Sequence, residues 1–253
     1  ERTGPISRDL RIARPGEEVE GKVGRWWSAT PKNVANRHFM VVVDVVSEHV
    51  DACNRSGLQI EGPVEEFKVN LKASLPEDLV GRFSRIVLAV KAHHTRQATN
   101  MLLPHLDKNG YVLSAQNGLN EMVISEIVGR PRTMGAFLNF GADWLGPGRI
   151  LFGNRGAVVL GELDGSIYPR TNDMFNLMQK FDSDAVLTDN IWGYLWGKLA
   201  YGAMLFATAL TNRSMADNFA KAEFAPIWSG LAREVIALAQ KRCVTPVGFN
   251  GFD

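Results

Sequence analysis
The chain has 253 residues, 45% of them hydrophobic and 22% charged, a globular composition that excludes general disorder. Its 28 Lys and Arg balance 27 Asp and Glu for a formal net charge of +1, and no basic block offers a phosphate-tracking surface, so no nucleic-acid partner is expected. Two cysteines, Cys53 and Cys243, make no disulfide framework and point to a reducing, cytoplasmic setting.

Residues 1–36 are rich in Arg, Glu, Gly and Pro and hold no apolar period long enough to predict an element. The opening Glu1-Arg2-Thr3-Gly4-Pro5 lacks an initiator Met and an apolar signal core, the end from Gly248 to Asp253 reads as a chain cut in a loop, and the chain is expected to be a fragment. From Phe39 an unbroken apolar run ends in Asp44, the pattern of a parallel strand buried on both faces. A helix is predicted from Ser47, as its N-cap, to Arg55, then short strands at Leu58–Ile60 and Glu66–Val69. Ser84–Val90 reads as a second buried strand, Thr95–Leu106 as a helix, Asp107–Gly110 as a turn and Tyr111–Ala115 as a third strand. Gln116-Asn117-Gly118 breaks that strand, and Leu119–Val128 can form the next helix. This alternation argues for an α/β fold with right-handed parallel crossovers in a doubly wound sheet. Thr133–Phe140, Arg149–Phe152 and Ala157–Leu160 are expected to finish that sheet as antiparallel strands. After Pro169 nearly everything reads as helix: Asn172–Phe181, Asn190–Thr211, Met215–Ala222 and Ala225–Arg242. The predicted domains are 1–187, atypical over 1–37, and an incomplete all-helical domain over 188–253. Ile191–Thr211 is apolar enough to raise a membrane span, but Lys198 near its centre is costly in hydrocarbon; a buried helix and no membrane are expected.

Asp44 is the first candidate for chemistry. An acid at the end of the second strand of a dinucleotide-binding fold accepts hydrogen bonds from ribose hydroxyls, although it equally caps the following helix. The glycine-rich pyrophosphate loop that should precede it is missing, since Pro15-Gly16 and Gly21-Lys22-Val23-Gly24 do not supply its pattern. Trp26-Trp27, encoded TGG-TGG, reads Gly-Gly when shifted by one nucleotide, so residues before about His38 are read as a displaced version of the first strand and loop. Lys91 and Asn117-Gly118 follow predicted strands and fall on the sheet edge where open α/β sheets bind ligands. Lys198 is the only charge between Asp189 and Arg213, with Tyr194, Leu195, Tyr201 and Gly202 at helical spacing. Burial lowers an ammonium pKa, which suits Lys198 to proton transfer near neutrality; a lysine snorkelling into water is the plainer reading. His93-His94 lack companion ligands, so no metal is expected, and no Gly-x-Ser-x-Gly or Cys/His pattern supports a hydrolase.

Val90-Lys91-Ala92, Gln116-Asn117-Gly118-Leu119 and Trp196-Gly197-Lys198-Leu199, with the Pro147-Gly148 turn and Gly161-Glu162-Leu163, occur in an order and spacing that resemble the 2-dehydropantoate 2-reductase (ketopantoate reductase) family over about residues 38–253. The resemblance implies a Rossmann-like domain followed by a helical domain, like 6-phosphogluconate dehydrogenase. It implies hydride transfer from NADPH to the ketone of 2-dehydropantoate, a step towards pantothenate. Carried over, Lys198 would be the general acid, with Asn117 beside it in catalysis, and Asp44, Lys91, Asn117 and Gly118 would serve the cofactor. The family usually carries an asparagine one turn after this lysine, where this chain has Gly202. The acid in Asp44-Val45-Val46, with no base beside it, favours NAD or weak discrimination between NAD and the NADP that the resemblance implies. A small 2-oxo acid is the expected substrate and a homodimer the expected assembly. Another hydroxyacid or acyl-CoA-type dehydrogenase, or a non-catalytic nucleotide-binding remnant, stand as alternatives.

Overall fold
A computed structural model describes residues 9–15 and 38–249; Gly16, the segment Gly21-Lys22-Val23-Gly24 and the tryptophan pair lie outside the described residues. The chain divides into two compact units between Asp189 and Asn190.

The first unit is built on an eight-stranded sheet. Strands β1 (Asp9–Pro15), β2 (His38–Val43), β5 (Lys72–Ser74), β6 (Phe83–Ala89), β7 (Leu106–Ser114), β8 (Thr133–Leu138), β11 (Val158–Glu162) and β12 (Val186–Leu187) lie in the order β12-β11-β8-β7-β6-β1-β2-β5. β6, β7 and β8 are parallel neighbours, β2 pairs in parallel with β5, and β1 lies antiparallel between β2 and β6. β2, β5, β6, β7 and β8 therefore all end on one edge, whereas β11 runs against β8. A second sheet of β3 (Leu58–Glu61), β4 (Phe67–Val69), β9 (Gly141–Gly146) and β10 (Arg149–Asn154) has the order β4-β3-β10-β9.

Side-chain alternation explains why the central strands are apolar throughout. Val41, Val43, Ile86, Leu88 and Val112 enter one cluster with Leu102 and Ile124, from helices α2 (Thr95–Leu102) and α3 (Asn120–Val128). Val87, Tyr111 and Leu113 point the other way, onto Met174, Leu177 and Met178 of α4 (Pro169–Phe181). Helix α1 (Ser47–Ser56) places Val50 and Cys53 against Met40 and Val42. α1 also anchors the second sheet: His49 Nδ1 accepts the Gly148 N–H at 3.1 Å, so the ring proton sits on Nε2, which faces Cys53 Sγ at 3.6 Å. The start of α4 is held by buried Glu162, which takes two hydrogen bonds from Arg170 (2.8 and 2.6 Å) and one from Thr171 (2.7 Å).

The α/β architecture is that expected, with local corrections. A strand forms at Asp9–Pro15, where three charges among seven residues hide it. Asp107–Gly110 is not a turn ahead of the strand but a bulge within β7: Leu106 pairs with Phe83 and Tyr111 with Arg85, and Arg132 donates to the Gly110 and Asp107 carbonyls. Of the late strands, only β11 finishes the main sheet antiparallel; β8 is parallel to β7, and β10 belongs to the second sheet. Ser47 opens α1 as its first residue, and Val46 is the cap. The helix from Thr95 stops at Leu102, followed by a 3-10 turn over Leu103–His105.

The second unit is helical: α5 (Ile191–Ala207), α6 (Met215–Phe219) and α7 (Ala225–Lys241). α5 packs on α7, and the Trp228 ring meets Phe219 and Phe224 edge-on. Among the described residues no helix is long and apolar enough to cross a membrane.

Candidate active site
Asp44 directly follows β2 and is 5% exposed. Its backbone N–H donates to the Ser74 carbonyl at 3.2 Å, and its Oδ1 accepts the Val46 N–H at 2.8 Å. The carboxylate thus steers the chain into α1 and is itself held still. Beside it opens a cleft of ≈ 310 Å³, lined by Val43, Asp44, Pro76, Val90, His94 and Met101 among others. Its walls are largely apolar with one fixed acid, the make-up of a site for a flat, partly apolar group carrying hydroxyls.

Lys91 caps a short 3-10 turn over Ala92–His94 that leads into α2, and its side chain is exposed. Asn117, also exposed, and Gly118 form the break after β7, where Gly118 takes φ +104°, a backbone that favours glycine. Lys91 and Asn117-Gly118 therefore occupy adjacent strand ends on the edge that carries Asp44, but neither lines the Asp44 cleft. His94, set aside above as a metal candidate, does line it. Among the described residues no group of three or more His, Cys, Asp or Glu could hold a metal ion.

Two features escaped the sequence. Gln116, Thr95 and Asn120 are buried polar residues hydrogen-bonded to one another beneath the two loops. Glu121 is fully buried, and burial pushes its carboxyl up to about 7. Polar residues opening a helix read as caps from sequence. The only available signal was that both helices start with them directly after a sheet-edge loop.

Lys198 lies in α5 of the second unit, half-buried, and desolvation pushes its amine down to about 8. Gly193 and Gly197 on the same helix let the 245–247 segment cross closely: the Val247 N–H donates to the Gly193 carbonyl at 3.0 Å, and a Cβ on Gly197 would collide with the Val247 carbonyl. At Gly202 the nearest atom to such a Cβ is a Phe206 ring carbon at 4.0 Å, so the site of the family's usual asparagine is open.

Fold and site define an α/β protein with a Rossmann-like N-terminal unit and a helical C-terminal region. The pattern of the ketopantoate reductase PanE/ApbA family matches residues 21–165, and the chain belongs to that family of oxidoreductases. The match begins at Gly21, within the stretch described above as atypical. The chain is 32% identical over 158 residues to 2-dehydropantoate 2-reductase of Pyrococcus horikoshii, covering 59% of this chain and 48% of that protein. It is 24% identical over 203 residues to the Streptococcus pyogenes serotype M6 enzyme of the same name, covering 79% and 66%. The chain thus spans about half to two thirds of the length of these relatives. The fold is similar to that of D-mandelate dehydrogenase in its ternary structure with NADH and anilino(oxo)acetate (TM-score 0.74, 20% identity, 81% of this chain and 67% of that one). It is also similar to that of 2-dehydropantoate 2-reductase from Geobacter metallireducens (TM-score 0.72, 20% identity, 83% and 69%).

Proposed function
We propose that the chain is the nicotinamide-binding and proton-donating part of a reductase for a small 2-oxo acid, 2-dehydropantoate or a close analogue. The observation that carries this reading is the sheet edge: three strand ends present Asp44 in a cleft, Lys91 and Asn117-Gly118 in turn. The cleft fits the adenosine half of a dinucleotide. Fixed by Val46, the Asp44 carboxylate would accept hydrogen bonds from the two ribose hydroxyls and would repel a 2′-phosphate, so NADH is preferred to NADPH. When bound, the reduced nicotinamide supplies a hydride to the ketone carbon. Lys198 gives a proton from Nζ to the carbonyl oxygen as negative charge develops there, and its partial desolvation makes that transfer easier. Lys91 and Asn117 hold the cofactor and the substrate carboxylate in the crevice.

Neither Cys53, which is buried, nor Cys243, which is exposed, is in a disulfide, which suits a reducing cytoplasm. A homodimer is the proposed assembly: Ile227 and Leu238 expose apolar surface on α7, and a related ketopantoate reductase from Staphylococcus aureus is described as dimeric.

Fluorescence titration with NADH and with NADPH tests the reading. Saturable binding of NADH, tighter than NADPH, is expected, with the gap closing in Asp44→Ala. Turnover of 2-dehydropantoate should then follow at the concentrations that saturate NADH. Binding of neither nucleotide overturns it.

A further inference from the structure
We infer that Thr95, Gln116 and Asn120 form a positioning relay that locks the loop after β6 to the loop after β7, so that Lys91 and Asn117 are held at one fixed spacing. What the two loops bind rests on the function proposed above; the lock itself does not.

Donor and acceptor chemistry leaves this relay one arrangement. The Val90 carbonyl can only accept, so the Gln116 amide must turn Nε2 towards it, at 2.6 Å. The same Nε2 donates to Thr95 Oγ1 at 2.8 Å. Thr95 has one hydroxyl proton, and it is committed to Asn120 Oδ1 at 3.0 Å. That fixes the Asn120 amide with Nδ2 towards the Asn117 carbonyl, at 2.8 Å. Four links thus join the end of β6, the first residue of α2, the break after β7 and the first residue of α3. Thr99 Oγ1 donates to the Thr95 carbonyl at 2.7 Å and steadies the central member.

Two observations separate positioning from mere cohesion. Thr95, Asn120 and Gln116 are 1%, 6% and 7% exposed, so water does not compete for the links and each keeps its direction. Gln116 Oε1, also buried, has no hydrogen-bond partner among the described residues. An unpaired buried acceptor is destabilising, a cost that apolar side chains filling the same space would avoid. The arrangement accepts that cost while tying together two loops that carry exposed polar groups.

The decisive comparison is Thr95→Val, which keeps the shape and removes the hydroxyl, against Thr95→Ser, which restores it. Hydrogen exchange in Thr95→Val is expected to rise about tenfold at residues 91–94 and 116–119 together, with the β5 edge at 72–74 unchanged and Thr95→Ser within about threefold of wild type. Affinity for NADH should fall about tenfold in the valine variant and recover in the serine variant. Asn120→Asp keeps the acceptor facing Thr95 but loses the donor to Asn117; it should loosen 116–119 alone and decides the question if Thr95→Val does not fold. Loosening of one loop in Thr95→Val, equal loosening in Thr95→Ser, or no change in any variant would overturn the relay. If the wild type binds no nicotinamide nucleotide, the functional reading falls, and the exchange pattern still decides the relay.

Discussion

A lysine amine held near 8 is still mostly protonated at pH 7 and gives up its proton more readily than a solvated one, the balance a general acid needs. With Lys198 as the proposed acid, only its ammonium form can donate, and kcat for the proposed ketone reduction should fall about tenfold per pH unit above roughly pH 8. Lys198→Ala should lower kcat by about 10²–10⁴ while leaving NADH affinity within about threefold. Lys198→Arg should not rescue it, since a guanidinium holds its proton throughout this range. A steady-state pH profile of the wild type beside binding titrations of both variants checks this. Loss of NADH binding along with kcat would make Lys198 a structural residue instead.

At the scale of elements, α5 shows how one helix handles two glycines differently. Gly197 sits where the Val247 carbonyl crosses, so Gly197→Ala forces either the helix or the 245–247 segment to move and should destabilise the helical unit by about 1–3 kcal/mol. Gly202 is open, and Gly202→Ala should stabilise the helix by about 0.5–1 kcal/mol through backbone entropy alone. Opposite signs in urea unfolding are expected; destabilisation by both would mean that the 202 position is crowded too. The same contrast governs what the sequence disclosed. β2 and β6 were legible because Val41–Val43 and Ile86–Leu88 are covered on both faces and must be apolar throughout. β9 was not, because Gly-Ala-Asp-Trp-Leu-Gly edges a small sheet with no continuous apolar run, and three-residue β5 is too short to show a period. Of the candidate site, the placement of Asp44, Lys91 and Asn117 just after apolar strands was legible. The relay was not, since its chemistry lies in which way Thr95, Gln116 and Asn120 point, and one-dimensional spacing carries no direction.

For the whole molecule, Glu121 in the first unit and Lys198 in the helical unit are ionisable groups whose charged forms folding disfavours, and the two act in separate pH windows. In the first unit, Glu121 has its carboxyl raised from 4.5 to about 7 by burial. Between those values the folded protein keeps the proton and the unfolded chain has lost it, so stability falls as pH rises from about 4.5 to 7, by about 3 kcal/mol in total. In the helical unit, burial lowers Lys198 from 10.5 to about 8. There the unfolded chain keeps the proton that the folded protein has lost, so stability rises between about pH 8 and 10.5 by a similar amount, roughly 3 kcal/mol. Hydrogen exchange resolved by unit should therefore show core protection in β6–β8 declining from acid towards neutrality, and protection in α5 and α7 increasing above pH 8. Glu121→Gln should flatten the first trend and leave the second, and Lys198→Met should do the reverse. If either variant flattens both trends, the two units do not unfold separately, and the pH response belongs to one cooperative molecule.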